Sequence, residues 1–244
     1  MARDDSGADQ ERKSIGPPPR TTTGDVVDAV ARAALSAVPV FGGPAAELIG
    51  LVIDPALHRR REDWFRRLGE VVDDLRNHQI DVGELSTNDA FVTAVLSASG
   101  AAMRTHEEEK LRALQNAVTR TGLALSPEEH TLAMFIRFID ELTGLHLQLL
   151  AYSQSPQEWF KAHGVGRPNV IAGARAVMLE AAFPALKDRA AFYGQIFNEL
   201  AARGLAQNML SGMVSEQALM DPMITPTGEQ FLTFTSDPPP PPDR

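Results

Sequence analysis

Histidine beside carboxylates can hold a metal or relay a proton, and the chain offers that combination twice. One set is the run His106, Glu107, Glu108, Glu109 and Lys110; the other is Asp140 and Glu141 with His146. On a helix, however, consecutive side chains fan around the axis, and only those three or four apart converge. The run therefore reads as a solvated helical face on which His106 and Lys110 pair with neighbouring glutamates. Asp140, Glu141 and His146 read the same way, and none of these groups is expected to be catalytic.

Other constellations fail on spacing. No Glu stands three residues before any of the six His, which removes the Glu-x-x-His pairs of di-iron bundles. There is no His-Glu-x-x-His zinc motif, no Gly-Lys pair to finish a phosphate-binding loop and no Gly-x-Ser-x-Gly elbow. Gly164-Val165-Gly166 begins a dinucleotide fingerprint, but Asn169 stands where the third glycine belongs. The expectation is a chain that is not an enzyme, with no catalytic, cofactor-binding or metal site and no cofactor.

Two features point to binding instead. Ala33 to Ala46 is an uncharged stretch broken by Pro39, Gly42, Gly43 and Pro44, followed by Glu47 and the apolar run Leu48 to Ile53. A bilayer-spanning helix needs about 20 apolar residues, so the spacing predicts a buried or membrane-touching hairpin rather than a span. Directly after it come His58, Arg59, Arg60, Arg61, Arg66 and Arg67. Basic residues in that position can grip lipid phosphates. Yet Arg59 with Asp63, and Glu62 with Arg66, are i,i+4 pairs of an ordinary soluble helix. Phe41, Leu48, Arg59, Arg60, Arg61, Arg66 and Arg67 are the candidate contact residues for a partner or, as the alternative, a membrane surface.

The elements that carry these residues are helical almost throughout. Leu57, Trp64, Phe65, Leu68, Val71, Val72 and Leu75 recur every three or four positions and predict a helix ending near Asn77. Ser86 to Asp89 resembles a capping start; beyond it the apolar stripe from Phe91 to Val118 is interrupted near Gly100 or restarts at Thr105, with Glu108 completing a capping box. Ser126-Pro127-Glu128-Glu129 and Ser155-Pro156-Gln157-Glu158 each place a hydroxyl at the N-cap, proline at the first helical position and Glu at the third. A break is expected at Thr143-Gly144, a turn at Gly164 to Pro168, and helices over Val170 to Ala182 and Asp188 to Arg203, the latter stopped by Gly204. The expected core includes Trp64, Phe65, Leu68, Val95, Leu114, Ile136, Ile139, Phe192 and Ile196.

The fold class is thus all-α: an antiparallel helical bundle over 25–162 and a small winged-helix-like unit over 167–235, between tails at 1–24 and 236–244 expected to be disordered. The proline run after Ser236 can dock an aromatic groove on a partner, although its composition reads first as a solvated terminus. A net charge of −9 disfavours nucleic acid and anionic lipid as general partners. Within 167–234 five basic residues face six acidic ones, so protein contact is favoured over DNA reading by Arg189, Gln195, Asn198 and Arg203. Cysteine is absent, and the start has no apolar signal core; a cytoplasmic location is expected.

The order "LVIDPALHRRREDWFRRL", "FVTAVLSASGAAMRTHEEEKLRALQNAV", "FIRFIDELTGLHLQLL", "FYGQIFNELAARGLA" and "TPTGEQFLTF" resembles bacterial helical proteins of the Abi-alpha, abortive-infection-related family. The resemblance covers roughly Val38 to Phe234 and rests on helix order and apolar spacing. It implies a helical bundle, a winged-helix-like C-terminal part and a role in phage defence or stress response, and it transfers no site residue. The function expected is a non-catalytic helical interaction protein whose partner is another protein; a membrane-active effector using 33–53 and a winged-helix DNA-binding regulator are the alternatives. Oligomeric state is left open.

Overall fold

The computed structural model describes residues 52–241. Helix α1 (Asp54–Asn77) starts with proline in its first turn and buries Trp64, Arg67, Val71 and Leu75 along one stripe. Helix α2 (Asp89–Ala102) is capped by Asn88, whose side chain accepts from Phe91 N–H. Its buried face is small: Ala94, Ala98, Ala101 and Ala102. That face lets α2 lie close against α3 (Glu108–Gly122). Helix α3 is the hub, touching α1, α2, α4 (Glu129–Glu141), α5 (Gly144–Gln154) and α9 (Pro226–Thr235). Nine of its 15 residues are buried, as expected of a helix surrounded on most sides.

Helix α6 (Pro156–His163) ends at Gly164, which takes the left-handed conformation at φ 63. Beyond it, β1 (Ala172–Gly173) pairs antiparallel with β2 (Val214–Ser215). Between these strands lie α7 (Arg175–Ala182), a 3-10 turn at Pro184–Leu186 and α8 (Ala190–Ala202). Gly204, at φ 71, stops α8. The Thr225-Pro226-Thr227-Gly228 start of α9 is built around contact with Leu205. Thr225 Oγ1 donates to the carbonyls of Gly204 and Leu205 and accepts from Gly228 N–H. A Cβ on Gly228 would collide with the Leu205 carbonyl. From there α9 delivers Phe231 and Phe234 onto Phe135 and Phe138 of α4, with centroids 5.2 to 6.2 Å apart. The last helix of the 167–235 segment is therefore seated on the bundle, and residues from α1 to α9 share one buried cluster.

The mostly helical class holds, and several details differ from the sequence expectation. Helix α4 is capped not by Ser126 but by Glu128, whose carboxylate accepts from His130 and Thr131. Helix α3 begins after Glu107, with Thr105 Oγ1 accepting from Glu107 N–H; Glu108 is drawn to Arg67 rather than back to Thr105. The helix expected from Val170 starts at Arg175, because Ala172 and Gly173 are spent on the strand pair. Phe65 and Phe192, placed in the core by periodicity, are 37% and 42% exposed. Arg189 lies over the Phe192 ring at 4.2 Å.

Candidate partner-binding site

Helices α3, α5, α6 and α9 line an open cleft of about 870 Å³. Its apolar lining comes from Ala113, Leu147, Ala151, Phe183 and Leu232, and its polar lining includes Glu109, Arg112, Asn116, Gln148 and Gln154. Trp159 and His163, one helical turn apart on α6, stack at 3.9 Å. His163 Nδ1 faces the Trp159 carbonyl at 2.9 Å. The Trp159 ring also meets Phe183 at 5.0 Å and, edge-on, Tyr152 at 6.2 Å. Its indole Nε1 is buried without an acceptor among the described residues.

Next to the cleft, the charged run at the start of α3 is not the solvated face that the sequence suggests. Each of its last four members reaches a different point of the fold. Glu107 accepts from Gly144 N–H at 2.6 Å, so it caps the positive end of α5. Glu108 receives Arg67 through two bonds of 2.6 and 2.8 Å. Glu109 accepts from Gln148 at 2.7 Å. Lys110 is buried and donates to the Asp140 carbonyl at 2.7 Å, where α4 ends. Four helices are tied together by these charges, with little left for chemistry.

His146 belongs to the same framework. Its Nδ1 accepts from Thr143 N–H in a capping box at the start of α5. That fixes the proton on Nε2, which faces Glu199 of α8 at 3.2 Å, although the pair is not aligned as a hydrogen bond. Burial lowers the His146 pKa, and the Glu199 carboxylate only partly offsets this. Glu199 is itself held below the usual carboxylate range, first by its bond from Gln195 and then by His146. Arg203 donates to Glu141 at 3.3 Å, and Arg104 to Asp140 at 2.7 Å. The expected solvated pairings of Asp140, Glu141 and His146 are in fact joints between helices.

The candidate contact residues that the structure describes all lie on α1 and differ in how far they are engaged. Phe41 and Leu48 lie outside the described residues. Arg60 donates to the Met103 carbonyl at 3.0 Å. Arg66 pairs with Glu70 at 2.8 Å, and His58, not Arg66, is the partner of Glu62. Arg67 is buried against Glu108 and Gln115. Arg59 is exposed and Arg61 half-buried; neither makes an ion pair among the described residues. On α8, Gln195 donates to Glu199, Asn198 accepts from Asn208 and Arg203 is held by Glu141, which leaves the expected base-reading side chains engaged within the fold.

The sequence reading missed the residues that receive the proline-rich segment after α9. Asn116 donates to the Thr235 carbonyl at 2.9 Å and to Asp237 Oδ1 at 3.1 Å. Arg120, one turn on, donates to the carbonyls of Ser236 and Asp237 at 3.1 and 2.9 Å. His78, at the end of α1, faces the Pro239 carbonyl at 3.1 Å. Partial burial lowers the Arg120 pKa, with Asp237 acting against it. Ser236 and Asp237 in turn line the cleft, so residues 236–239 lie along the bundle rather than free of it. The available signal was Asn116 and Arg120 at i,i+4, two side-chain donors on one face of α3. Comparison with protein families, with curated proteins and with solved structures finds no match.

Proposed function

We propose that this is a non-catalytic helical interaction protein, and that the cleft between α3, α5, α6 and α9 is where a protein partner docks. The observation that carries this reading is the cleft's combination of an aromatic and aliphatic lining with amide and charged groups, bordered by a chain segment held through its main-chain carbonyls. Such a lining suits a peptide side chain in the apolar part and a peptide backbone at the edge. The groups that could have supplied acid–base chemistry, Glu107, Glu109, His146 and Glu199, are committed to helix junctions, which supports binding over catalysis. Charge engagement on α1 and α8 favours protein over membrane or DNA as the partner. Among the described residues, no helix is long and apolar enough to cross a membrane. The resemblance of the helix order to that of Abi-alpha proteins adds phage defence or stress response, in the cytoplasm, as the proposed setting.

The test is affinity capture from the native host with the natural chain and with Ala151→Trp, which fills the cleft, run in parallel. A partner retained by the first and lost by the second supports the reading; equal capture by both sinks the cleft as the docking site. A purified chain that hydrolysed a nucleotide or an ester, and lost that activity on changing one polar residue, would overturn the non-catalytic part.

A further inference from the structure

We infer that His78, Asn116 and Arg120 form a receptor for a proline-rich extended segment with an acidic residue, and that the chain's own residues 236–239 occupy it as an internal competitor. This rests on the interaction reading above and names the partner's chemistry. Proline has a carbonyl but no N–H, so a proline-rich strand presents acceptors without the donors that an ordinary peptide would also need to satisfy. The receptor supplies side-chain donors at the entry to such a strand. Arg120 reaches the carbonyls of Ser236 and Asp237, the two residues that lead into the proline run, and Asn116 that of Thr235, the last residue of α9. Asn116 also holds the Asp237 carboxylate, which sets register and adds a charge-assisted bond. His78 turns Nδ1 to the Asp74 carbonyl at 2.7 Å and Nε2 to the carbonyl of Pro239, within the proline run, at 3.1 Å. Pro238 is half-buried between these bonded residues.

A segment tethered to its own receptor acts at an effective concentration in the millimolar range. A proline-rich segment from a partner must compete with that. The closed chain is therefore the low-affinity state, and displacement of 236–239 opens the edge of the cleft that Ser236 and Asp237 line.

The experiment uses a dye-labelled peptide of the sequence SDPPPPPDR, residues 236–244, read by fluorescence anisotropy against three full-length chains. These are the natural chain, one in which 236–244 is replaced by Gly and Ser at equal length, and that replacement chain carrying Arg120→Ala. The replacement chain should bind the peptide at least tenfold more tightly than the natural chain does. Arg120→Ala should cost it at least tenfold, and a peptide with alanine for every proline should bind at least tenfold more weakly. Equal binding by natural and replacement chains, no binding by a folded replacement chain, or indifference to Arg120→Ala or to the prolines overturns the inference. Because the chain has no cysteine, spin labels at Glu84→Cys and Pro240→Cys in the otherwise natural chain give an independent reading. A narrow distance distribution that broadens with Arg120→Ala supports the clasp, and a broad one at the outset overturns it. If the peptide fails while Ala151→Trp still abolishes partner capture, the receptor falls and the interaction reading stands.

Discussion

The seam where α9 meets α4 buries its aromatic residues, whereas the strand-and-helix excursion between Pro168 and Gly212 buries Met178, Leu179, Ile196, Phe197 and Leu200 but sets other apolar residues outside. In the seam, Phe135, Phe231 and Phe234 are 0 to 2% exposed and meet at centroid distances of 5.2 and 5.9 Å. In the excursion, Ile171 is 85% exposed, and Phe192 and Val177 stand out beside it at 42% and 41%; Met213, just past it, is 84% exposed. Burial at about 25 cal/mol per Å² makes the first set the source of stability. The second contributes almost nothing to folding and is available to whatever touches the surface. The excursion thus carries core residues and exposed apolar residues side by side, while the seam carries core residues alone.

The largest expected effect breaks the seam. Phe231→Ala should destabilise the fold by about 4 kcal/mol, since a fully buried aromatic leaves both a transfer loss and a cavity; denaturant titration measures it. Gly228→Ala comes next, at about 3 kcal/mol, because the new methyl meets the Leu205 backbone rather than a side chain that can turn away. A melt within a degree of the natural chain's would show that the start of α9 is not pinned there.

Glu108→Gln should cost about 1 to 2 kcal/mol by leaving the buried Arg67 guanidinium without its carboxylate. The discount from a fully buried pair reflects the exposure of Glu108, and a double-mutant cycle with Arg67→Met isolates the coupling. The pH dependence follows from α5 and α8. The folded-state pKa of His146 is lowered, so the folded chain binds fewer protons than the unfolded one. Stability is full above the ordinary histidine range and falls as pH drops through that range toward the lowered folded value. Glu199, also lowered, adds a loss further into acid. His146→Gln should flatten the upper part of this acid limb in unfolding curves collected across pH; an unchanged limb would remove His146 from it. At the small end, Ile171→Ser and Met213→Ser should change stability by less than about 0.5 kcal/mol. A larger loss would mean that these two side chains are packed in solution.

What could be read along the chain was whatever depends on residues three or four apart. The stripe Trp64, Val71 and Leu75, the end of α1 at Asn77, the Asn88 cap and the Ser155-Pro156 start of α6 all have local causes. The Thr143-Gly144 break was likewise legible, since threonine can cap and glycine can open the next turn. Phe65 and Phe192 were misplaced because periodicity marks a face as apolar without saying how wide the neighbouring helix is. The Ser126 cap failed because Glu128 offers two acceptor oxygens to the same orphan N–H groups.

By itself, then, the sequence determined an all-α chain, most helix limits and the absence of the common catalytic spacings, because these are short-range properties of pattern and composition. Only the tertiary structure decided which charges are solvated and which are committed. Lys110 sits 30 positions from the carbonyl it bonds, Arg67 41 from Glu108, and Arg120 116 from Ser236. No window along the sequence contains both partners. Whether a charged run is a wet surface or a joint between helices depends on what the fold brings opposite it, and so does the fate of a proline-rich tail.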